Sequence, residues 1–61
     1  MIFNNIKELC KKRKITIVEL ERKAGFSRGT IFKWKTGSPT ASNLKIVADI
    51  LKVKVDALLK E

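Results

Sequence analysis

Arg28 and Lys33 are two long cationic side chains whose donors could contact a nucleic-acid base or a phosphate. A guanidinium offers two parallel donors that match O6 and N7 of guanine in the major groove, a contact that discriminates between bases by roughly 1–3 kcal/mol. Arg28 is therefore a candidate base-reading residue, with a phosphate contact as the alternative. Lys33 suits a guanine and a phosphate equally well.

Two uncharged neighbours of these cations each have a functional and a structural interpretation. Gly29 either allows the backbone to approach DNA bases closely or is a silent glycine within a helix, at a cost of about 1 kcal/mol against Ala. Phe32 either touches a thymine methyl group or folds down at the edge of the core. Trp34 shares the side of Ile31, so we expect both in the core rather than at a ligand.

The composition argues against an enzyme, a metal site and a bound cofactor. The chain has no His and one Cys, Cys10, which lies on an apolar helical stripe and is expected to be a core residue. The acids are expected on exposed helix faces, scattered rather than clustered. A small chain without disulfides or zinc ligands suits a reducing cytosol, so a cytoplasmic location is expected. No small-molecule substrate is expected either.

Two short helices position the candidate residues. The first covers residues 16–24, with Thr16 and Glu19 as a capping box and Gly25 at its end. The second, residues 27–36, has Ser27 as its cap. Ile31 lies on its inner side with Trp34, which leaves the candidate residues outward. Two helices around a glycine-containing turn, with a basic outer face on the second, are typical of insertion into a DNA groove.

The remaining sequence predicts three further helices and no strand. The first has an apolar stripe of Ile2, Ile6, Leu9 and Cys10 and ends at the basic run 11–14. The fourth begins at Thr40, and a fifth covers about residues 55–59. The predicted fold is all-α, five short helices around one core, as a single domain of residues 1–61. Helix N-termini bind phosphate, which makes Thr16 and Thr40 candidate phosphate contacts, followed by Asn43 and Lys45.

The charge distribution favours a polyanionic partner. The formal net charge is +8, and residues 22–48 contain six basic residues and no acidic one. A solvated basic face is the alternative, but the helical placement favours nucleic acid. A basic protein acting at a membrane surface is a further alternative. Its helices would need broad exposed apolar faces, whereas the stripes here are narrow, and neither a membrane span nor an N-terminal signal core is seen.

An ordered set of residues at fixed spacing resembles the helix-turn-helix domain of the Xre/Cro/C1 family, the lambda-repressor-like regulators of phages and bacteria. The resemblance covers residues 4–59. It implies a lambda-repressor-like bundle with a helix-turn-helix unit at about residues 16–36, acting as a sequence-specific regulator of transcription, with a repressor expected. An antitoxin or protein-interaction module on the same fold is the alternative. The matching positions are Thr16 to Leu20, Ala24 to Ser27, Thr30, Ile31, Trp34, Gly37, Pro39, Leu44, Ala48, Leu51, Val53, Leu58 and Leu59.

The resemblance also implies roles for individual residues on double-stranded DNA. Base reading falls to the first turns of the third helix, which are Ser27, Arg28, Gly29 and Lys33. Phosphate contacts fall to Thr16, to the backbone N–H of Ile17, and to a loop that contains Lys35, Thr36, Ser38 and Thr40. Such repressors commonly bind as homodimers on palindromic operators, with reading helices about 34 Å apart. The candidate dimer patch is Val53, Val55, Leu58 and Leu59, with completion of the core as the alternative.

Three lysines depart from the family pattern. Lys35 replaces a common acid near the end of the reading helix, so an acid-paired contact is lost and a phosphate contact is gained. Lys52 replaces a glycine after the fourth helix, at a cost of about 1 kcal/mol if the backbone is left-handed. Lys54 replaces a Ser or Thr cap, a loss of roughly 0.5–2 kcal/mol. The fifth helix is therefore expected to be the least secure element.

Overall fold

The computed structural model describes residues 2–60, which contain helices and turns and no strand. The α-helices are α1 (Ile2–Lys12), α2 (Ile17–Ala24), α3 (Ala41–Leu51) and α4 (Val55–Leu59), and a 3₁₀ helix (Phe32–Lys35) lies between α2 and α3. The predicted all-α class is confirmed. Among these residues there are four α-helices rather than five, because the third predicted helix is replaced by a turn and the 3₁₀ helix.

The core forms where each helix turns its apolar stripe inward. α1 packs against α2, α4 and the 3₁₀ helix, while α3 packs against α2 and α4. Ile31 and Trp34 are both buried, as predicted, and so join the segment between α2 and α3 to the core. The other buried apolar residues are Phe3, Ile6, Cys10, Leu20, Leu44, Val47, Ala48, Leu51 and Leu58.

Cys10 is a buried residue of this core, as its place on the apolar stripe of α1 predicts. Burial raises the pKa of its thiol, because the apolar surroundings disfavour the thiolate. Within residues 2–60, no helix has the length and apolar character that crossing a bilayer requires. The same residues hold no group of three or more side chains suited to a metal ion.

Three helices end with the same backbone motif. A residue in the left-handed region follows each helix, and the N–H of the next residue bonds back to a carbonyl five positions earlier, at 2.9–3.0 Å. That next residue is apolar and packs on the core. The left-handed residues are Lys14, Gly25 and Lys52. The condition for the predicted cost at Lys52, a left-handed backbone, is therefore met, and two of the three positions carry a side chain where glycine would cost less.

The short helix α4 is held by a residue of α1. The Asn5 side-chain amide donates hydrogen bonds to the backbone carbonyls of Leu58, at 2.9 Å, and of Lys60. At the other end of α4, Lys54 makes no side-chain cap, as its residue type predicts. Asn5 thus satisfies carbonyls that a helix C-terminus otherwise leaves unpaired, and so offsets part of the missing cap that makes α4 the helix expected to be least secure.

Candidate nucleic-acid interface

The N-terminus of α2 carries the predicted capping box. The Thr16 hydroxyl accepts a hydrogen bond from the Glu19 N–H at 3.0 Å, and the Glu19 carboxylate accepts one from the Thr16 N–H at 3.0 Å. Thr16 is exposed, whereas Ile17 is half-buried with its side chain packed against the core. The helix start is thus presented to solvent with its first residues fixed in place.

The turn after α2 is closed by Gly25 in the left-handed conformation, with φ at 76°. The next residue, Phe26, packs edge-on against Trp34 with ring centroids 5.9 Å apart. This aromatic contact joins the turn to the 3₁₀ helix. It therefore fixes the direction in which the chain leaves α2.

Residues 27–36, the reading segment, are not the single α-helix that the sequence predicts. The Thr30 N–H donates to the Ser27 carbonyl at 3.1 Å, which makes a four-residue turn, and the 3₁₀ helix begins at Phe32. Gly29 has a φ of +90° at the third position of that turn, where a type II turn needs glycine. Ser27 therefore begins a turn rather than capping an α-helix, and Gly29 is a turn glycine rather than a mid-helix one.

A buried carboxylate organises this turn. Glu21 of α2 is 2% exposed, and its Oε1 and Oε2 accept hydrogen bonds from the backbone N–H groups of Gly29, at 3.1 Å, and Ile31, at 2.8 Å. The expectation that the acids lie on exposed helix faces is wrong for Glu21. The spacing of Glu21 within the helix indicates burial, because it lies four residues after Ile17 and three before Ala24, on the inward face of α2.

The burial pattern of the reading segment agrees with the predicted spacing. Ile31 and Trp34 are buried, whereas Arg28 and Lys33 are exposed. The two exposed cations thus belong to a segment that is anchored in the core by its buried residues. Their ammonium and guanidinium groups are thus available to a polyanion, with the backbone beneath them fixed by packing.

Phe32 and Lys35 lie where the reading segment meets α1. Phe32 is 43% exposed and packs at a tilt against Phe3, with ring centroids 5.7 Å apart. The Lys35 ammonium lies 5.1 Å from the centre of the Phe3 ring and 5.6 Å from that of Phe32. Cation–π attraction therefore holds Lys35 against these rings. Phe32 therefore packs down at the edge of the core, as its structural interpretation predicts, while part of its side chain stays exposed.

The loop after the reading segment leads into α3 through a second capped helix start. Thr40 accepts a hydrogen bond from the Asn43 N–H at 3.2 Å, which confirms it as the cap of α3. Thr36 and Ser38 in the loop are exposed, as is Lys45 in the first turns of α3, and Asn43 is half-buried. The candidate phosphate contacts of this region thus reach solvent.

The candidate dimer patch is smaller than the sequence suggests. Leu58 is fully buried within the chain, so it completes the core and cannot contribute an exposed surface. Val53 and Val55 are half-buried and pack against the same core. Leu59 is 48% exposed and is the large apolar side chain that this region presents to solvent.

Two helical elements joined through a left-handed glycine, with cations on the outer face of the second, define a helix-turn-helix protein. The chain belongs to the helix-turn-helix family of Xre/Cro/C1 type, whose family model matches residues 6–58. This is a family of DNA-binding regulators, typically without enzymatic activity. Neither the curated proteins nor the solved structures gave a significant match to the chain.

Proposed function

We propose that this chain is a sequence-specific transcriptional regulator, a phage or bacterial repressor, that reads the major groove of double-stranded DNA with residues 27–36. The observation that carries the proposal is the two-sided reading segment, with Ile31 and Trp34 buried while Arg28 and Lys33 are exposed. We treat residues 1–61 as one DNA-binding domain and residues 16–36 as its helix-turn-helix unit.

Base reading is assigned to the outer side of the reading segment. Arg28 donates to a guanine, and Lys33 supplies the second cationic contact. Gly29 has open space where a side chain would be, so base edges can approach the turn beside Ser27. The exposed edge of Phe32 is suited to a thymine methyl group.

Phosphate contacts are assigned to the two capped helix starts and the loop between them. The N-terminus of α2, at Thr16 and the backbone N–H of Ile17, offers the positive end of a helix dipole to a phosphate. Lys35, at the edge of the reading segment, lines the same surface groove as Thr16 and Ile17 and supplies a cation there. The remaining assigned residues are Thr36, Ser38, Thr40, Asn43 and Lys45.

The proposed target is a palindromic operator bound by a homodimer. One small domain makes few contacts with DNA, and two copies would place their reading segments in successive major grooves. Leu59, together with the partly exposed Val53 and Val55, is the proposed contact between the copies.

Selection of bound duplexes from a random pool tests this function directly. A sequence-specific regulator should enrich one palindromic site, and its affinity should fall with salt by a log–log slope of about −0.9 for each phosphate neutralised. Arg28→Ala should lose base preference at one position of each half-site, whereas Lys35→Ala should weaken binding to all sequences alike.

Arg22→Ala is the matched control for Arg28→Ala, because it removes an exposed arginine of α2 outside the reading segment. It should leave the selected sequence unchanged. A pool from which no duplex is enriched contradicts the proposed function. An unchanged consensus for Arg28→Ala contradicts the assignment of that residue.

A further inference from the structure

The buried Glu21 carboxylate excludes a continuous α-helix over the reading segment. A helix that starts after Ser27 needs a hydrogen bond from the Ile31 N–H to the Ser27 carbonyl and a negative φ at residue 29. Here the Ile31 N–H donates to Glu21 Oε2 at 2.8 Å, the Ser27 carbonyl accepts from Thr30 at 3.1 Å, and Gly29 has a φ of +90°. Neither requirement is met, because the Ile31 N–H is bonded to Glu21 instead of Ser27 and the φ of Gly29 is positive.

The carboxylate and the turn depend on each other. A buried charged group is costly unless it is hydrogen-bonded, and bonds to an ionised acceptor are among the stronger ones in proteins. Both oxygens of Glu21 find their donors in the turn, at Gly29 and Ile31. The burial of this one acid therefore favours the conformation in which those two N–H groups point towards α2.

That conformation determines how the two base-reading cations are presented. In a regular α-helix, residues five positions apart lie about 140° apart around the axis, so Arg28 and Lys33 would point in divergent directions. The turn breaks the helix between them, with Arg28 inside the turn and Lys33 in the 3₁₀ helix. The direction of Arg28 relative to Lys33 is therefore not set by the geometry of a regular α-helix.

We propose that Glu21 is a positioning residue that determines base preference, because its carboxylate holds the reading segment in the turn and 3₁₀ form and so sets where Arg28 meets DNA. This inference rests on the proposed function. Glu21 is buried and touches no base, but through the turn it affects which operator sequence the chain binds.

Glu21→Gln tests the proposal, because glutamine has nearly the same shape but only one acceptor oxygen. We expect amide exchange at Gly29, whose N–H has no partner in the first turn of a helix, to be at least about tenfold faster, helical ellipticity to increase, and the selected consensus to change at the base pair that Arg28 reads. Affinity for non-specific DNA should match that of the charge-matched control within about twofold, since most of the assigned phosphate contacts lie outside the reading segment. Glu8→Gln, at an exposed acid of α1, makes the same change in net charge and is the matched control.

Gly29→Ala supplies a second test that does not require DNA. A Cβ at residue 29 meets no atom within 4 Å, so in the natural background the strain comes from the positive φ alone. The substitution should raise the unfolding equilibrium constant roughly tenfold. In the Glu21→Gln background the same substitution should cost nothing or stabilise, because alanine favours the helix that is then available.

The outcomes separate the two proposals. If the natural chain enriches an operator and Glu21→Gln enriches the same one, the role of Glu21 in base preference is overturned while the proposed function stands. If the natural chain enriches no sequence, the proposed function fails, and the role in base preference fails with it. An equal cost of Gly29→Ala in both backgrounds, measured by urea denaturation, overturns the claim that Glu21 holds the segment out of a helix.

Discussion

At the residue scale, lysine occupies two of the three left-handed backbone positions at helix ends, where glycine would have a lower steric cost. Lys14 and Lys52 both have a φ of 57°, whereas Gly25 adopts this region without a steric cost. Each lysine contributes a positive charge to a chain of formal net charge +8. We infer that stability is given up at these two positions, since the backbone bonds of the motif do not need a side chain.

Replacing Lys52 by Gly should therefore stabilise the chain. The substitution removes the left-handed strain and should raise the free energy of unfolding by about 1 kcal/mol, measured by urea denaturation. Lys54→Gly is the control, because Lys54 is exposed and has a φ of −79°, where glycine brings no relief. A loss of stability in Lys52→Gly that equals the loss in Lys54→Gly would show that the strain is absent.

The caps at Thr16 and Thr40 were predictable from the sequence, whereas the predicted cap at Ser27 was wrong and the buried acid was not predicted. Thr16 and Thr40 cap helices through bonds that span three residues, and a local motif is enough to locate such bonds. Glu21 accepts bonds from residues eight and ten positions away, after a turn whose path the local sequence does not determine. Its residue type indicated an exposed side chain, and only its helical phase indicated a buried one.

At the scale of elements, helix positions were predictable because the apolar period is local. α1, α2, α3 and α4 lie where the stripes and caps predict them. The reading segment is the exception. Its inner face, Ile31 and Trp34, was predicted from spacing alone, but the form of its backbone depends on a hydrogen-bond acceptor supplied by α2. Tertiary context thus overrides the local helical preference in the element that carries the candidate site.

The stability of α4 also depends on a residue of α1. This helix has five residues and no side-chain cap at Lys54, so it is too short to be stable alone. The Asn5 amide of α1 bonds to the carbonyls of Leu58 and Lys60 at its C-terminal end. The attachment of α4 is therefore a property of the α1–α4 pair rather than of the local sequence.

Asn5→Ala should loosen α4 in a measurable way. Loss of two hydrogen bonds should lower the free energy of unfolding by roughly 1–2 kcal/mol and speed amide exchange in α4 more than in α2. Asn4→Ala is the control, because Asn4 is the exposed neighbour on the same helix, and it should stay within about 0.5 kcal/mol of the natural chain. Equal exchange rates in α4 for the two variants would contradict this role of Asn5.

At the scale of the whole molecule, the acid-free basic stretch and Leu59, the most exposed large apolar side chain among residues 2–60, lie in different parts of the chain. The acid-free stretch of residues 22–48 contains the reading segment and the start of α3. Leu59 lies on α4, beyond that stretch, and α4 packs against α1 and α3. This arrangement suits a protein that contacts DNA with one region and a second copy with another.

Leu59→Glu tests whether the α4 surface contacts a second copy of the chain. Because Leu59 is 48% exposed, the substitution removes little buried area and should leave the free energy of unfolding within about 0.5 kcal/mol of the natural value. A glutamate on each copy would place two like charges in the proposed contact, which disfavours pairing. Binding to a full palindromic site should then fall at least about tenfold, while binding to an isolated half-site should change little.

Ile46→Glu provides the comparison that assigns the effect to the α4 surface. Ile46 is 38% exposed on α3, so its substitution adds the same charge at a similarly exposed apolar position outside the proposed contact. Sedimentation equilibrium and gel-shift titrations on full and half sites measure the two variants side by side. Equal losses of full-site affinity would mean that added negative charge, rather than the Leu59 contact, weakens binding. A loss confined to Leu59→Glu, and only on the full site, requires two copies that meet through α4 when both half-sites are occupied.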